Sequence, residues 1–538
     1  MFAAPNRTTG DPRPTERDGT DGPVAPPTAR ENVQHTTGTV NTSGPLASVR
    51  QVTETETESS ITQGSLVRPL FTLAWPIVVT QLLQVAYNIA DTIWLGRLST
   101  DAVGALSLAF PLIFLLLSVG GGFTVAGSTL VAQYTGAGGE KSAGKAAGQT
   151  LSFVIILAVF LGALGYVLTG PLLGLLPADP ETARDVVPLA ADYMRVFFLG
   201  TPFLFGFFIF SALMRGYGNT RTPMRVMLLS VTLNVVLDPI LIFGWSPLGI
   251  PQLGVEGAAL ATLISRAVAT AVGLYVLFYL PAGPNIEFSH LRPDPETVRK
   301  IVDIGVPSAL EQSTSALAML TLTAMVVTFS PPVVAAFGLG NRLISLVFLP
   351  AMGLGRATNT MVGQNLGAKQ ADRAERAVKL AAGVGAGVMF GVAIVAVVFA
   401  RPIVSVFMST GTAEAAQTIE LGIDYLRIRA VEFAFIGVLQ VVLGAYRGAG
   451  NTRTALAFSL LSLWVGRVAT VYLLTFVLGW GVTGIWVGMA AGNVLGAVTA
   501  GAWFTRGTWK RSVVDEADPS TASESGGGES VTDGGAEN

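Results

Sequence analysis

Residues 215–222 read Arg215-Gly216-Tyr217-Gly218-Asn219-Thr220-Arg221-Thr222, and 232 positions later the chain reads Arg447-Gly448-Ala449-Gly450-Asn451-Thr452-Arg453-Thr454. Asp192-Tyr193-Met194-Arg195 returns at the same offset as Asp424-Tyr425-Leu426-Arg427. Gln133-Tyr134-Thr135-Gly136-Ala137 returns as Gln364-Asn365-Leu366-Gly367-Ala368, 231 positions on. Three blocks in one register are the mark of an internal duplication.

The material between these blocks is apolar. Of 538 residues, 51% are hydrophobic and 13% charged, with a mean hydropathy of +0.57. Soluble domains carry about a quarter charged residues, so a polytopic membrane protein is expected. Twelve spans of at least about 20 residues, the length that crosses the hydrocarbon as helix, are predicted. They lie near 70–96, 102–134, 146–170, 186–214, 224–247, 253–280, 300–329, 332–364, 380–400, 417–446, 455–480 and 482–505. The predicted fold is an all-α membrane protein of twelve transmembrane helices in two parallel six-helix repeats. An N-lobe (66–280) and a C-lobe (299–506) flank a central cleft, joined by a cytoplasmic loop (281–298).

Loops after even-numbered spans, with the segment after the twelfth, hold seventeen Lys and Arg; loops after odd-numbered spans hold Arg97, Arg184 and Arg401. This asymmetry predicts both termini in the cytoplasm and a multi-pass protein of the cell membrane. The arginine turns at 215–222 and 447–454 are expected on that surface. Residues 1–65 and the acidic stretch 507–538 cannot bury enough apolar surface to offset chain entropy, and read as disordered tails. The sequons at Asn6 and Asn41 read as chance matches. Six lysines stand against twenty-seven arginines, which fits either a salt-adapted source or an arginine-biased genome.

No cysteine is present and the histidines are His35 and His290, so thiolate and histidine metal chemistry have no ligands. Gly139-Glu140-Lys141-Ser142-Ala143-Gly144-Lys145-Ala146 approaches a phosphate-binding loop. It puts Ala146 where a hydroxyl should hold Mg²⁺, and a helical span precedes it. No cofactor, no nucleic acid and no enzyme activity are expected.

An even number of spans per copy gives both copies one orientation, with the substrate path between them. In the first span Gln81, Gln84, Asn88 and Asp91 share a face. An intramembrane Asp costs about 2.5–3.5 kcal/mol to insert and should face a cavity. In the fifth, Asn234 and Asp238 lie one turn apart, and Pro239 is expected to bend the helix and free carbonyls beside the carboxylate. Shifted by the repeat, Asp91 maps to Leu322 or Thr323, Asn234 to Gly466 and Asp238 to Thr470. The carboxylates therefore belong to one lobe, whereas the scaffold blocks occur in both. Two carboxylates in a low-dielectric site cannot both stay charged and unpaired, so the pair should take a proton or hold Na⁺.

These blocks resemble the multidrug and toxic compound extrusion (MATE) family of ion-coupled efflux transporters. The resemblance rests on Pro76 followed by Asn88-Ile89-Ala90-Asp91-Thr92-Ile93-Trp94-Leu95-Gly96 and on the two Arg-Gly-x-Gly-Asn-Thr-Arg-Thr turns. Leu233-Asn234-Val235-Val236-Leu237-Asp238-Pro239 and Gly254-Val255-Glu256-Gly257-Ala258-Ala259 add to it. It spans about residues 66–506 and looks closest to archaeal and related bacterial members. It implies an N-lobe cation site of Asp91, Asn234 and Asp238, with Thr262 as a fourth member and H⁺ or Na⁺ as the coupling ion. Ion binding would bend the first helix about Pro76 and reshape the drug cavity.

Gln84, Asn88, Tyr193 and Glu311 are candidates for substrate contact or secondary coupling. Tyr193 also reads as scaffold through its copy Tyr425, and Glu311 equally as half of a structural ion pair. Asp192/Arg195, Asp424/Arg427 and Arg429/Glu432 read as ion pairs. The implied activity is antiport of amphipathic or cationic drugs and metabolites by a monomer among membrane lipids. The rival readings are a lipid-linked saccharide flippase, which would carry a strongly cationic central cavity, and an integral membrane enzyme.

Overall fold

The computed structural model describes residues 61–174, 180–407 and 412–514. Most of both expected tails, with His35 and the two sequons, lies outside the described residues. The N-lobe helices are α1 Val67–Leu98, α2 Thr100–Gly136 and α3 Glu140–Gly174. Then come α4 (Val187–Leu199 and Thr201–Tyr217), α5 Arg221–Phe243 and α6 Gly254–Tyr279. The C-lobe repeats the order with α7 Pro295–Val326, α8 Pro331–Gly367 and α9 Ala371–Val398. It continues with α10 (Ala413–Ala430 and Phe433–Gly448), α11 Thr452–Val477 and α12 Gly481–Phe504. Among the described residues there is no strand, only an isolated bridge between Trp245 and Ile250.

Nine of these helices are long and apolar enough to cross a bilayer, and eleven when each bent pair is one span. The twelfth is α7, whose apolar run is diluted by Glu296, Arg299, Lys300 and Asp303 in its first turns and by Glu311 within. Ile156, Phe160 and Val167 on α3 and Phe390, Ile394 and Val398 on α9 are exposed, the outward stripe that lipid solvates.

The lobes bend alike. α4 turns by 53° at Gly200 and α10 by 51° at Val431–Glu432, 232 residues apart. In α4, Pro202 lacks the amide that would continue the ladder. In α10, the buried Arg429–Glu432 ion pair sits at the bend. α1 runs unbroken through Pro76. That proline strips the Thr72 carbonyl of its helical donor, and Thr220 of the repeated turn donates to it instead (3.4 Å). Pro239 is likewise inside a continuous α5, which packs along α6. The distortion falls on the other copy, where Leu461–Ala469 and Leu473–Val477 of α11 wind as π-helix.

The lobes are joined by reciprocal bonds between the repeated blocks. Gln133 on α2 donates to the Gly448 carbonyl (2.9 Å), and Gln364 on α8 donates to the Gly216 carbonyl (3.0 Å). Thr129 donates to the Arg447 carbonyl (2.9 Å) and Thr360 to that of Arg215 (3.0 Å). Backbones meet here: a Cβ on Gly136 would lie 1.9 Å from the Gln364 carbonyl, and one on Gly367 1.9 Å from that of Gln133. Higher up, α2 meets α7 at Gly122, where a Cβ would lie 2.1 Å from the Ala309 amide. The equivalent crossing of α8 and α1 sets Gly353 against the Val78 side chain instead. The larger residue holds α1 off the partner lobe.

Residues 61–65 and 507–514, assigned to the tails by composition, pack on this closed end. Ile61 reaches Gly218, and its carbonyl accepts from Asn365 (3.3 Å) and Arg373. At the equivalent place in the other lobe Val513 lies against Gly450. There Gln133 Oε1 accepts from the Val513 amide (2.8 Å) and Ser512 hydroxyl (3.0 Å). The inter-lobe loop is clasped by Gln149, which donates to the carbonyls of His290 (2.6 Å) and Arg292 and accepts from the Asp294 amide (2.8 Å). Hydrogen bonds from Thr297 and the Lys145 ammonium hold the Asp294 carboxyl below the usual carboxylate range.

Gly136→Ala and Gly367→Ala should each cost about 1–3 kcal/mol by overpacking and part the closed end. Spin labels at Ala137 and Ala368 should then move apart, while Gly383→Ala, whose Cβ meets nothing within 4 Å, leaves the distance unchanged. Deleting residues 511–538 should speed amide exchange around Gln133–Gly138 more than around Asn365, which keeps its Ile61 contact.

Candidate functional site

In the N-lobe, α1 and α5 cross with their polar faces together. Asp91, Asn234 and Asp238 are buried, the last two completely. Asn234 Nδ2 donates to Asp238 Oδ1 (3.1 Å), and the Asp91 carboxyl lies within electrostatic range of Asp238. Three oxygens there, Asp91 Oδ1, Asn234 Oδ1 and Asp238 Oδ2, are buried without a hydrogen-bond partner. Buried polar atoms are nearly always paired, and each orphan costs about 1–3 kcal/mol. Convergent oxygens of this kind suit a hard cation or a shared proton.

The remaining candidates separate. Tyr193 is buried against the pair, within electrostatic range of both carboxyls. Thr262 makes no hydrogen bond to the three; its hydroxyl bonds Tyr87 and donates to the Ala258 carbonyl (3.0 Å). Gln84 is half-buried and donates to the exposed Asn88 (3.2 Å). Gln84 accepts from Arg266 (2.8 Å). Pro76 sits fifteen residues before Asp91, about 22 Å along the helix.

Arg266 and Tyr87 were missed by sequence reasoning. Arg266 is 2% exposed on α6 and lies 5.2 Å from the ring centres of Tyr87 and Phe207. It also lies within electrostatic range of Asp91. A lone arginine in the apolar run Ala258–Thr270 was the available signal, since charges within spans mark function or pairing. With two carboxylates and one guanidinium, the site carries a formal charge of −1.

Glu311 lies in the other lobe. Its carboxylate accepts from Arg447 at 2.6 and 3.2 Å and from Ser459 at 2.5 Å. The expectation that the 447–454 turn sits on the surface is corrected here: Arg447, in the last turn of α10, points back into the C-lobe to Glu311. Arg215, its copy, also turns inward and donates to Ser211 (2.7 Å); Arg356 beside it donates to Gln81 (3.0 Å). Arg429 and Glu432 form a buried pair, with Glu432 also accepting from Asn493 (2.7 Å). Asp192 and Arg195 pair at 3.2 Å on the surface; among the described residues Asp424 and Arg427 do not. No cluster of three metal-binding side chains occurs among the described residues.

The duplicated architecture has a counterpart among known families. A family model described as MatE matches residues 76–240 and 307–473. The chain belongs to the MatE family. The two matched stretches begin at Pro76 and Pro307, the repeat offset found above. A relative from Bacillus subtilis (strain 168), the probable multidrug resistance protein YpnP, is 31% identical over 454 residues. The match covers 84% of this chain and 97% of that protein. An FAD transporter from Shewanella oneidensis is 32% identical over 316 residues, 58% of this chain and 68% of its own. Among solved structures, a MOP superfamily transporter from Pyrococcus furiosus Vc1 superposes with a TM-score of 0.76 at 25% identity. That match covers 85% of this chain and 99% of the other, and its binding pocket is described as reversed in polarity. This MatE chain is thus a multi-pass membrane transporter.

Breaking the C-lobe pair tests its part in the MatE fold. Arg447→Gln alone, which strands the Glu311 charge, should cost on the order of 3 kcal/mol. The Glu311→Gln/Arg447→Gln double variant should recover most of that loss, read as a double-mutant cycle on thermal unfolding in detergent.

Proposed function

We propose that the protein is a secondary active efflux transporter of amphipathic small molecules, driven by inward flow of H⁺ or Na⁺ through the N-lobe site. The observation that carries this reading is the set of three unpartnered buried oxygens on α1 and α5, absent from the repeated lobe. One monovalent cation would neutralise the site's charge of −1, and a buried net charge is costly, so one cation per cycle is expected. The multidrug resistance names among the relatives support the drug as cargo; the FAD transporter extends the cargo to anions.

The lobe contacts support alternating access as the transport cycle. The arginine-rich end, closed by Gln133 and Gln364, faces the cytoplasm by the positive-inside rule. The described state is then the outward-facing one, in a monomer of the plasma membrane with both termini cytoplasmic. α1 couples ion to cargo: it carries Asp91, contains Pro76 and is the helix Val78 holds off the C-lobe. A cation drawn to Asp91 and Asp238 pulls α1 toward α5, which changes the wall that α1 presents to the cleft.

The test is efflux of fluorescent amphipathic dyes of either charge from proteoliposomes, under a pH gradient and separately under a Na⁺ gradient. Asp91→Asn and Asp238→Asn should lower ion-driven efflux at least tenfold while elution and dye binding persist. Undiminished efflux in Asp91→Asn would remove the site from the mechanism.

A further inference from the structure

The C-lobe holds a cavity of about 240 Å³ at the repeat equivalent of the N-lobe site, and its polarity is inverted. Leu322 lines it where the other copy has Asp91. Asn493 lines it where α6 has Arg266, taking Gly254-Val255 and Gly481-Val482 as the matched helix starts. Arg467, one residue after the position of Asn234, enters it from the π-helical stretch of α11. A π-bulge rotates side chains off the α-helical face and recurs at functional sites.

The charges around this cavity do not balance. Arg447 is held by Glu311, whose two oxygens are both engaged. Arg429 is held by Glu432, whose second oxygen goes to Asn493. Arg467 makes no hydrogen bond or ion pair among the described residues, and its Nε is fully buried without a partner. Three guanidiniums against two carboxylates leave an excess of one positive charge, and Arg356 beside Arg447 adds a second, bonded only to the neutral Gln81. A half-buried guanidinium with its fork unfilled matches a carboxylate or a phosphate.

We propose that this C-lobe cavity binds the anionic group, phosphate or carboxylate, of the transported molecule, with Arg467 as its principal contact and Arg447 as the second. This deepens the efflux reading and rests on it for the word transported; binding itself does not. The volume is below the roughly 300 Å³ at which whole drug-sized ligands are held. The anionic end therefore enters and the apolar remainder stays in the cleft. Cation and cargo then occupy separate lobes of opposite sign, and the expected cationic cargo gives way to an anionic or zwitterionic one.

The probes are FMN and riboflavin, one fluorescent skeleton with and without a phosphate, titrated onto the full-length protein in nanodiscs of neutral lipid and read by anisotropy. FMN should bind at least tenfold tighter than riboflavin. Arg467→Gln should erase that difference, Arg467→Lys should keep part of it, and Glu311→Gln, which frees Arg447, should tighten FMN further. The gain in Glu311→Gln reports the second contact, Arg447, and the partial retention in Arg467→Lys reports the charge at Arg467. Nanodiscs containing phosphatidic acid form a second arm: competition with FMN that depends on Arg467 would support the site with a lipid headgroup as the anion. Equal binding of the two flavins, or FMN binding indifferent to both Arg467 variants, with no such competition, would overturn the proposal. Retained binding with no ion-driven flux would instead count against the efflux reading alone.

Discussion

The two glutamines Gln133 and Gln364 each cross to the opposite lobe and hydrogen-bond a carbonyl at the end of its bent helix, and the arrangement of the lobes depends on that exchange. Each side chain bonds a carbonyl that a helix C-terminus leaves without a partner. Gly136 and Gly367 let the backbones close to contact. Because both halves descend from one unit, a single bond invented once is made twice, with the pseudo-symmetry axis between the copies. The segments around Ile61 and Val513 cover the two halves of the same junction, one from each end of the chain. The opposite end of the cleft has no such exchange among the described residues, and this asymmetry gives the molecule a direction.

Within this frame the copies have diverged in charge. The N-lobe gathers Asp91, Asn234 and Asp238 where α1 and α5 cross, and the C-lobe sets Leu322 and Arg467 at the corresponding crossing. Helix geometry diverges with it: α5 stays α-helical through Pro239, whereas α11, with Gly466 packed on Gly492, winds wider. Proline fixes φ near the helical value and tolerates a continuous helix when neighbours supply packing. A glycine pair lets two helices approach so closely that one of them must adjust. The contrast between Gly122 on Ala309 and Gly353 on Val78 works in the same sense, since Gly122 meets backbone where Gly353 meets a valine's methyl groups.

Much of this was legible before any coordinates. Twelve spans, their duplication and the carboxylates on α1 and α5 follow from hydropathy, repeat offset and helical spacing, each of which is local. The partners were not. Arg447 reads as a surface charge because a loop arginine after an even span ordinarily is one; that it reaches Glu311, 136 residues away, depends on how two helices pack. Thr262 lies on the right helix, yet its hydroxyl faces Tyr87, since a rotation of one helix by less than a residue changes which side chain points at a site. Ile61 and Trp509 look like tail residues in composition and are buried in fact, because one apolar side chain suffices where a groove already exists.

The sequence by itself determined the class of the protein, the number and order of its helices, its two copies and the lobe that carries the acidic pair. These are properties of periodicity and of the difference between the copies, and both are written along the chain. Tertiary structure decided which oxygens are left without partners, which arginine is left without a carboxylate, and which end is closed. Each of these depends on residues more than a hundred positions apart meeting at distances near 3 Å, and no local pattern specifies such a meeting.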